Sequence, residues 1–284
     1  MYKEKPLVSI VMNCFNGERF LKEAIDSIYN QTYENWEIIF WDNSSSDNSA
    51  LIAKSYDQKL KYFRSDKTTL LGVARDMAIK KAHGKFVAFL DTDDLYLPDK
   101  LEIQINEMIF NQSVLSFGSW IEINEFGSKV KKHKLPTEMG NFFEQLLFRY
   151  NVNFQTLMID NDFLKKSNIN FDKSLTFSPD FSFVMQFALL DKISSIEGYL
   201  AKYRVHSESM TSQRIKDKYQ DYIHTIKILE EKGANEKYPR FKLLSLAVLS
   251  RMKYRDNLKS NNYFFAYLHL ICYSFYRARI AFIN

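Results

Sequence analysis

The stretch between Gly84 and Asp94 constrains the fold of this chain more than any other. Residues 86–90 form an uninterrupted apolar run that has the length of a buried strand. The run ends in an acidic cluster, in which Asp91, Asp93 and Asp94 fall within four residues. Ligands of open α/β sheets bind outside the carboxyl ends of the strands. We therefore expect the functional site at the carboxyl end of this strand.

The acidic cluster implies a bound cation. Carboxylates packed this closely repel one another, which raises their pKa values unless a cation or strong hydrogen-bond donors neutralise them. Mn²⁺ and Mg²⁺ accept oxygen ligands, and Mg²⁺ is commonly held by one or two carboxylates together with substrate phosphates. The alternative is an acidic turn in which Asp94 caps the next helix. The position directly after a buried strand favours the metal site.

The first part of the chain alternates between strand and helix patterns. Strands are predicted at residues 7–12, 36–41, 60–64 and 85–90, and helices at residues 18–31, 48–56 and 71–82. This alternation predicts a parallel sheet that is covered by helices on both faces. Because the carboxyl ends of parallel strands meet at one edge, Asn16, Asp42 and Asp91 should lie together there.

The pattern loosens after Pro98, where the sheet is expected to become mixed. Helices are predicted at residues 99–110, 142–150 and 177–190, and strands at residues 113–122, 129–134, 155–159 and 193–205. A polar loop follows at residues 206–212. Three helical segments, at residues 217–232, 238–254 and 262–281, then complete the chain as a helical extension.

Composition indicates an ordinary globular protein. The 284 residues are 46% apolar and 26% charged, enough for one large domain or for one domain with an appendage. The net charge of +5 is too small to favour nucleic acid as the main partner. The two cysteines, Cys14 and Cys272, cannot build a disulfide framework. The N-terminus lacks the apolar segment of a signal peptide, so we expect a cytoplasmic location.

Three patches of the sequence resemble the glycosyltransferases of family 2, which have the GT-A fold. The patches are residues 8–16, residues 38–47, and residues 72–76 together with residues 90–94. The resemblance implies a Rossmann-like α/β fold, with a mixed, mostly parallel sheet flanked by helices. It also implies a nucleotide-sugar-binding and catalytic GT-A domain over residues 1–212, with residues 213–284 forming the helical C-terminal extension.

The resemblance implies transfer of a sugar from a nucleoside diphosphate donor, with a UDP-sugar favoured, and with inversion at the anomeric carbon. The acceptor would be a hydroxyl group of a glycan or lipid-linked acceptor in cell-surface polysaccharide synthesis, and Mn²⁺ or Mg²⁺ would assist. Residues that bind the donor in this family correspond here to Phe15, Asn16, Asp42, Arg75, Asp91 and Arg204. Asp93 would bind the metal together with His206, and Asp180 would be the catalytic base.

Two positions depart from the family pattern. The usual Glu-Asp pair that carries the base reads Pro179-Asp180, so the supporting acid is missing. The usual Arg-Asn pair reads Arg75-Asp76, which adds a negative charge near a phosphate site. These departures leave a second hypothesis open, in which the chain is a catalytically inactive nucleotide-sugar-binding or scaffold protein. Dinucleotide oxidoreductases and phosphotransferases are disfavoured, because their glycine-rich motifs do not occur in the chain.

Several of these residues also have simpler interpretations. Asp180 could be a helix N-cap and Asp42 a turn residue, while Asp47 fits a helix cap better than a binding residue. His206 lies in a polar loop, where it could be solvated. Cys14 is expected to be a small buried residue beside the nucleotide loop.

The last predicted helix, residues 262–281, is apolar and aromatic and carries Arg277 and Arg279 near its end. From Arg240 onward the chain has eight basic residues and one acidic residue. The helix is too short, and too interrupted by His269, to predict a membrane span. Aromatic residues beside a basic flank favour an interfacial helix on the inner face of the cell membrane. The alternatives are packing against the catalytic domain or against a second copy of the chain.

Overall fold

Long buried strands in the first part of the chain set the architecture. The computed structural model describes residues 5–175, 177–207 and 218–281, so the expected boundary after residue 212 and loop residues 208–212 lie outside the described residues. The strands are β1 Val8–Cys14, β2 Trp36–Asp42, β3 Leu60–Arg64, β4 Phe86–Phe89, β5 Leu95–Tyr96, β6 Leu115–Asn124, β7 Lys129–His133, β8 Glu138–Gly140, β9 Met158–Asp160 and β10 Ile193–Val205.

Helices cover both faces of these strands. They are α1 Glu18–Tyr29, α2 Ser49–Lys54, α3 Leu71–Ile79, α4 Lys100–Asn111, α5 Phe143–Phe148, α6 Asn161–Ser167, α7 Pro179–Leu190, α8 Lys218–Glu231, α9 Ala234–Lys237, α10 Phe241–Lys259 and α11 Tyr263–Ala281. A 3₁₀ turn occupies Phe154–Thr156. The predicted α/β fold class is confirmed, including the helical C-terminal region.

The strands form one mixed sheet in the order β3-β2-β1-β4-β9-β6-β10-β5, with β7 beside β6 and β8 beside β10. The first four strands along this order are parallel. β9 then enters antiparallel between β4 and β6, and β6 is parallel to β10. The expected change from a parallel to a mixed sheet is therefore confirmed.

Alternation along β1 distributes its side chains between two apolar layers. Ile10 and Met12 pack with Leu21 and Ile25 of α1, whereas Val11 faces the opposite layer together with Ala74 of α3. Both faces of the strand are therefore buried, which explains why it reads as a continuous apolar run rather than as an alternation of apolar and polar residues.

The C-terminal helices share the core of the sheet domain. Tyr222 of α8 and Phe241 of α10 belong to the same buried cluster as Phe183 of α7. The ring of Phe143 in α5 stacks on Tyr238, which lies between α9 and α10, with centroids 4.3 Å apart. Among the described helices, none combines the length and the hydropathy needed to cross a membrane.

The predicted strand at residues 155–159 is wrong at its start. Residues Phe154–Thr156 form a 3₁₀ turn, and β9 begins only at Met158. Asn153 caps the turn by accepting a hydrogen bond from the Gln155 N–H group at 3.1 Å. The turn directs the side chain of Gln155 toward Asp91, where it forms part of the site described next.

Candidate active site

The loops that follow β1, β2 and β4 meet at one edge of the sheet. Cys14 at the end of β1 is in register with Asp42 at the end of β2, and β4 pairs with β1 on the other side. A Cβ atom added to Gly17 would lie 2.7 Å from Oγ1 of Thr92, so the loop after β1 directly contacts the acidic turn after β4. The predicted meeting of these loops is confirmed.

The loop after β1 is fastened to the loop after β2. Asn16 has a positive φ of 52°, and its N–H group donates to Ser45 Oγ at 3.0 Å. Its side-chain oxygen accepts from the Ser46 N–H group at 2.8 Å. Phe15 is 54% exposed, so its ring is accessible to a ligand. A cavity of about 590 Å³ borders the two loops and is lined by Asn16, Glu18, Arg19, Ser46 and Asp47.

Asp42 is fully buried at the base of this corner. Its Oδ1 accepts from the Ser45 N–H group at 2.7 Å. Its Oδ2 accepts from Tyr62 Oη at 2.5 Å and from Arg64 Nη1 at 2.6 Å. Tyr62 and Arg64 lie on β3, which is parallel to β2. Sequence reasoning missed both residues, although the parallel pairing places Arg64 directly beside Asp42.

Two simpler predictions for this corner are confirmed. Asp47 accepts from the Glu18 N–H group at 2.9 Å and from the Ser49 N–H group at 3.0 Å. Its side chain thus serves the first N–H group of both α1 and α2, although the N-cap residues are Gly17 and Asn48. Cys14 is buried, as expected for a small residue beside the loop.

Asp91 is held between a buried arginine and a glutamine. Arg75 Nη2 lies 3.1 Å from Asp91 Oδ1, and Gln155 Nε2 donates to Asp91 Oδ2 at 2.7 Å. The guanidinium of Arg75 packs 3.7 Å from the centre of the Phe154 ring. Arg75 Nε is buried and has no hydrogen-bond partner within the described part of the chain. Gln155 was not recognised from the sequence, because the 3₁₀ turn that presents it was read as a strand.

Asp93 and His206 come together from distant parts of the chain. His206 Nε2 lies 3.0 Å from Asp93 Oδ2, and its ring packs against Phe20 with centroids 5.2 Å apart. Burial raises the pKa of Asp93, and the neighbouring Asp91 carboxylate raises it further, while His206 opposes both effects. The structure thus pairs the two residues that were predicted to bind metal.

Arg204 supports the acidic turn from inside the protein. Its side chain is only 1% exposed, and it donates to the Asp93 carbonyl at 2.9 Å, to the Glu125 carbonyl at 3.1 Å and to Glu23 Oε2 at 2.8 Å. The Arg204 N–H group also donates to Asp94 Oδ1 at 2.6 Å. Binding of the donor by Arg204 stays a prediction, since the contacts observed are internal.

Asp94 does not cap the next helix, because α4 begins at Lys100 and its N-cap residue is Asp99. The alternative interpretation of the acidic cluster as a simple helix cap is therefore wrong. Asp94 is instead buried behind the turn, where burial raises the pKa of its carboxyl group well above the usual value. The charges of Asp93 and Asp91 act in the same direction.

Asp180 lies in the first turn of α7, whose N-cap residue is Ser178. The hydroxyl group of Tyr150 donates to Asp180 Oδ2 at 3.4 Å. Burial raises the pKa of Asp180, while the positive charge of Arg75 favours the ionised carboxylate. Arg75 therefore acts electrostatically on both Asp91 and Asp180. Because Ser178 takes the N-cap position, the interpretation of Asp180 as the cap is wrong.

Comparison with known proteins identifies the family. The sequence model described as glycosyl transferase family 2 matches residues 9–192. The chain belongs to this family. A family 2 glycosyltransferase must bring a donor sugar and an acceptor together, and charged side chains converge at the edge of the sheet described above.

Two relatives cover most of the chain. An uncharacterized glycosyltransferase of Methanocaldococcus jannaschii is 33% identical over 79% of this chain and 79% of its own length. The Escherichia coli UDP-Glc:alpha-D-GlcNAc-diphosphoundecaprenol beta-1,3-glucosyltransferase WfgD is 31% identical over 74% of this chain and 82% of its own length. The chain is therefore a glycosyltransferase.

Solved structures match the fold at lower identity. A crystal structure of S. aureus TarS in complex with UDP-GlcNAc has a TM-score of 0.67 and 18% identity, and the match covers 86% of this chain and 81% of that chain. A second TarS structure has a TM-score of 0.70 and 21% identity, with 86% of this chain and 43% of that chain covered. These likenesses show the GT-A fold.

The charge that Asp76 adds to the family pattern is compensated. Its carboxylate is buried and lies 2.8 Å from Lys80 Nζ and 3.7 Å from Lys173 Nζ. Arg75, the preceding residue, faces Asp91 instead. The departure at Asp76 therefore does not leave an unpaired negative charge in this family 2 glycosyltransferase.

The chemistry of the donor set fits a divalent cation. No group of three or more His, Cys, Asp or Glu side chains that could hold a metal by itself occurs among residues 5–175, 177–207 and 218–281. Asp93 and His206 nevertheless offer one carboxylate and one imidazole at the same place. Mg²⁺ and Mn²⁺ bind through few protein ligands when substrate phosphates supply the others, so this pair fits such an ion.

Proposed function

We propose that this glycosyltransferase transfers a sugar from a UDP-sugar to a hydroxyl group of a glycan or lipid-linked acceptor, with inversion, in cell-surface polysaccharide synthesis. The observation that carries the proposal is the meeting of Asp42, Asp91 and Asp93 at one sheet edge, with Arg75 acting on both Asp91 and Asp180. The name of the E. coli relative, which specifies a UDP-sugar and a lipid diphosphate acceptor, supports this choice of substrates.

The donor would lie across the corner formed by the first two loops and the acidic turn. Phe15 and Asn16 would contact the base, with Asp42 behind them holding the loop through its hydrogen bond to Ser45. Arg75 and Asp91 would face the ribose and diphosphate. Asp93 and His206 would hold Mn²⁺ or Mg²⁺, which, when bound, stabilises negative charge on the departing diphosphate. Arg204 would act at the same turn by keeping the Asp93 backbone in place.

Asp180 would act as the general base. The oxygen of the acceptor hydroxyl attacks the anomeric carbon, and its proton passes to the Asp180 carboxylate. The bond between the anomeric carbon and the diphosphate oxygen breaks, and its electron pair leaves with the nucleoside diphosphate. The raised pKa of Asp180 makes it a stronger base than an exposed aspartate, which suits proton abstraction near neutral pH.

Nucleotide release from a panel of nucleotide sugars, measured with Mn²⁺ and with a chelator, tests the reaction. Metal-dependent release from one UDP-sugar supports the proposal. Tight binding of a donor without release, across a broad set of acceptors, would support the inactive binding protein instead.

The Asp180→Asn variant tests the base. We expect transfer to fall by about 10²–10⁴-fold, because general base catalysis typically contributes that much, while donor affinity stays unchanged. Asp162→Asn is the control, since Asp162 is an exposed carboxylate on α6 that pairs with Lys85. Unchanged transfer by Asp180→Asn would exclude Asp180 as the base.

We also propose that α11 places the enzyme on the inner face of an anionic membrane. Ala266 and Leu270 turn inward on this helix, whereas Phe264 and Phe275 on the opposite face are 69% and 55% exposed. No charged residue occurs between positions 263 and 276. The exposed basic residues nearby are Arg255, Lys259, Arg277 and Arg279. Aromatic side chains surrounded by basic residues suit an anionic lipid surface. The basic residues would repel the same surface of a second copy of the chain.

A further inference from the structure

We propose that α8 is part of the active site, where Lys218, Asp221 and Tyr222 form one wall and fix the position of Asp180; this inference rests on the proposed role of Asp180 as the base. The three residues follow i, i+3, i+4 spacing, so they lie on one face of the helix. The family match ends at residue 192, so α8 lies beyond the part of the chain that the family pattern covers.

Asp221 holds the backbone that leads into α7. Its Oδ2 accepts from the Phe177 N–H group and from the Ser178 N–H group, each at 2.7 Å, and its side chain is buried. The side chain of Ser178, the N-cap residue, makes no capping hydrogen bond. The first N–H groups of a helix lack partners within the helix, and a carboxylate is a favourable acceptor there. Asp221 therefore caps α7 from a different helix.

Tyr222 holds the chain on the other side of the base. Its ring stacks on Phe181, the residue after Asp180, with centroids 4.1 Å apart and planes 9° apart. Tyr150 meets the same Phe181 edge-on at 5.1 Å and donates its hydroxyl to Asp180. Consecutive residues of α8 thus fix residues 177–178 and residue 181, and Asp180 lies between these two attachments.

Lys218 adds a charge to this wall, where its Nζ lies 5.7 Å from the centre of the Phe177 ring and 5.9 Å from that of Tyr222. Its positive charge favours the ionised form of Asp180 and opposes the rise in pKa that burial causes. Although Lys218 as a whole residue is exposed, partial burial of its ammonium group lowers its pKa, and the Asp180 carboxylate opposes that change. The cation thus favours the form of Asp180 that can accept a proton.

This wall also accounts for the missing acid of the family pattern. Position 179 is proline here, where the family pattern has glutamate, so residue 179 cannot contribute a carboxylate beside the base. Asp221 supplies a carboxylate at the start of the same helix from α8. We infer that Asp221 is a positioning residue, which keeps Asp180 at the acceptor hydroxyl without touching the substrate.

Kinetics of Asp221→Ala and Asp221→Asn test this inference. We expect Asp221→Ala to lower kcat at least tenfold with little change in KM for the donor, because only the base is displaced. Asp221→Asn keeps an oxygen acceptor, so it should recover most of that loss. Asp160→Ala is the matched control, since Asp160 caps α6 by accepting from the Phe163 N–H group at 2.9 Å. We expect Asp160→Ala to lower the melting temperature about as much as Asp221→Ala does, and to leave kcat unchanged.

Lys218→Met provides a second readout that a purely structural role would not move. Because the cation near Asp180 is removed, we expect the acid limb of the kcat profile to shift to higher pH. It also serves if Asp221→Ala fails to fold, since Lys218 lies at an exposed position of α8. An unchanged limb, or an unchanged kcat in folded Asp221→Ala, would overturn the inference. If Asp180→Asn also retains transfer, the proposed function itself fails.

Discussion

Arg64 shows how one side chain can shape the corner between the loops after β1 and β2 without lying on either loop. Its Nη1 donates to Asp42 Oδ2 at 2.6 Å and its Nη2 donates to the Ser45 carbonyl at 2.8 Å, so it ties the carboxylate to the loop that follows. The side chain is 44% exposed, and its loss should not unfold the protein. Its contribution should therefore appear in ligand affinity rather than in stability.

We expect Arg64→Ala to weaken UDP binding about tenfold, because the loop loses two charge-assisted hydrogen bonds. Isothermal titration with UDP and Mn²⁺ measures this. Lys61→Ala is the control, because Lys61 lies on the same strand and pairs with Glu37 rather than with Asp42. Equal affinities for the two variants would refute the role of Arg64.

The proposed role of Asp180 as the base predicts the pH dependence of the reaction. Burial raises this pKa, and a general base works only when deprotonated, so activity should be lost as pH falls through the raised value. We expect the acid limb of kcat/KM to lie above the usual range of an aspartate. A pH profile with saturating Mn²⁺ measures it, and a limb within the ordinary aspartate range would contradict the assignment.

At the scale of elements, the sequence predicted those strands whose position follows from the local pattern of apolar residues. β1, β2 and β4 are buried on both faces, so they read as apolar runs, and each leads into polar residues that the parallel sheet brings to one edge. Asp42 and Asp91 could therefore be placed together before any coordinates were known. The sequence did not predict the short strands β5 and β8. Both pair with β10, which lies far along the chain, so their strand conformation depends on a tertiary contact and not on local pattern.

Two long-range hydrogen bonds of the site also could not be predicted from the sequence, because they too depend on tertiary contacts. Gln155 reaches Asp91 from a 3₁₀ turn 64 residues away, and Asp221 reaches Ser178 from a helix 43 residues away. Neither has a local signature, since an isolated glutamine or aspartate on an amphipathic segment reads as a surface residue. Such contacts follow from tertiary packing and not from the spacing of residues along the chain.

The turn between β4 and β5 depends on the end of β10. Arg204 donates to two backbone carbonyls and to the Glu23 carboxylate, and its guanidinium lies 4.4 Å from the centre of the Phe20 ring. A lysine cannot reproduce this planar set of donors. The acidic turn should therefore lose its internal support when the guanidinium is replaced.

We expect Arg204→Lys to destabilise the protein by about 1–3 kcal/mol, because buried carbonyl groups lose their donors. Urea unfolding followed by circular dichroism measures the change. Arg19→Lys is the control, since Arg19 also packs on Phe20, at 4.7 Å, but its side chain is exposed. A loss for Arg204→Lys no larger than for this control would show that the turn does not depend on the guanidinium.

At the scale of the whole molecule, the C-terminal helices are continuous with the catalytic part. The buried cluster that contains Val87 and Phe89 of the sheet also contains Ile226 and Phe241 of the extension. Removing the extension would expose this apolar surface and would also remove the wall behind Asp180. The division of the chain at residue 212 therefore stays a prediction from the sequence. In the structure, the described residues on the two sides of that boundary share one buried core.

The outer face of α11 should bind anionic vesicles. Exposed aromatic side chains enter the interface, and the basic residues around them add attraction that salt weakens. We expect the enzyme to sediment with vesicles that contain phosphatidylglycerol, less with phosphatidylcholine alone, and less again at high salt.

The double variant Phe264→Ser, Phe275→Ser should reduce this binding, because burying one phenylalanine side chain contributes about 1.5–3 kcal/mol. Phe110→Ser is the matched control, since Phe110 is 87% exposed but lies on α4, and it should sediment like the wild type. Equal sedimentation with both lipids, or with neither, would remove the membrane contact. Concentration-dependent association without lipid, abolished by the double variant, would instead assign this face to a second copy of the chain, because the aromatic surface would then be buried between protomers.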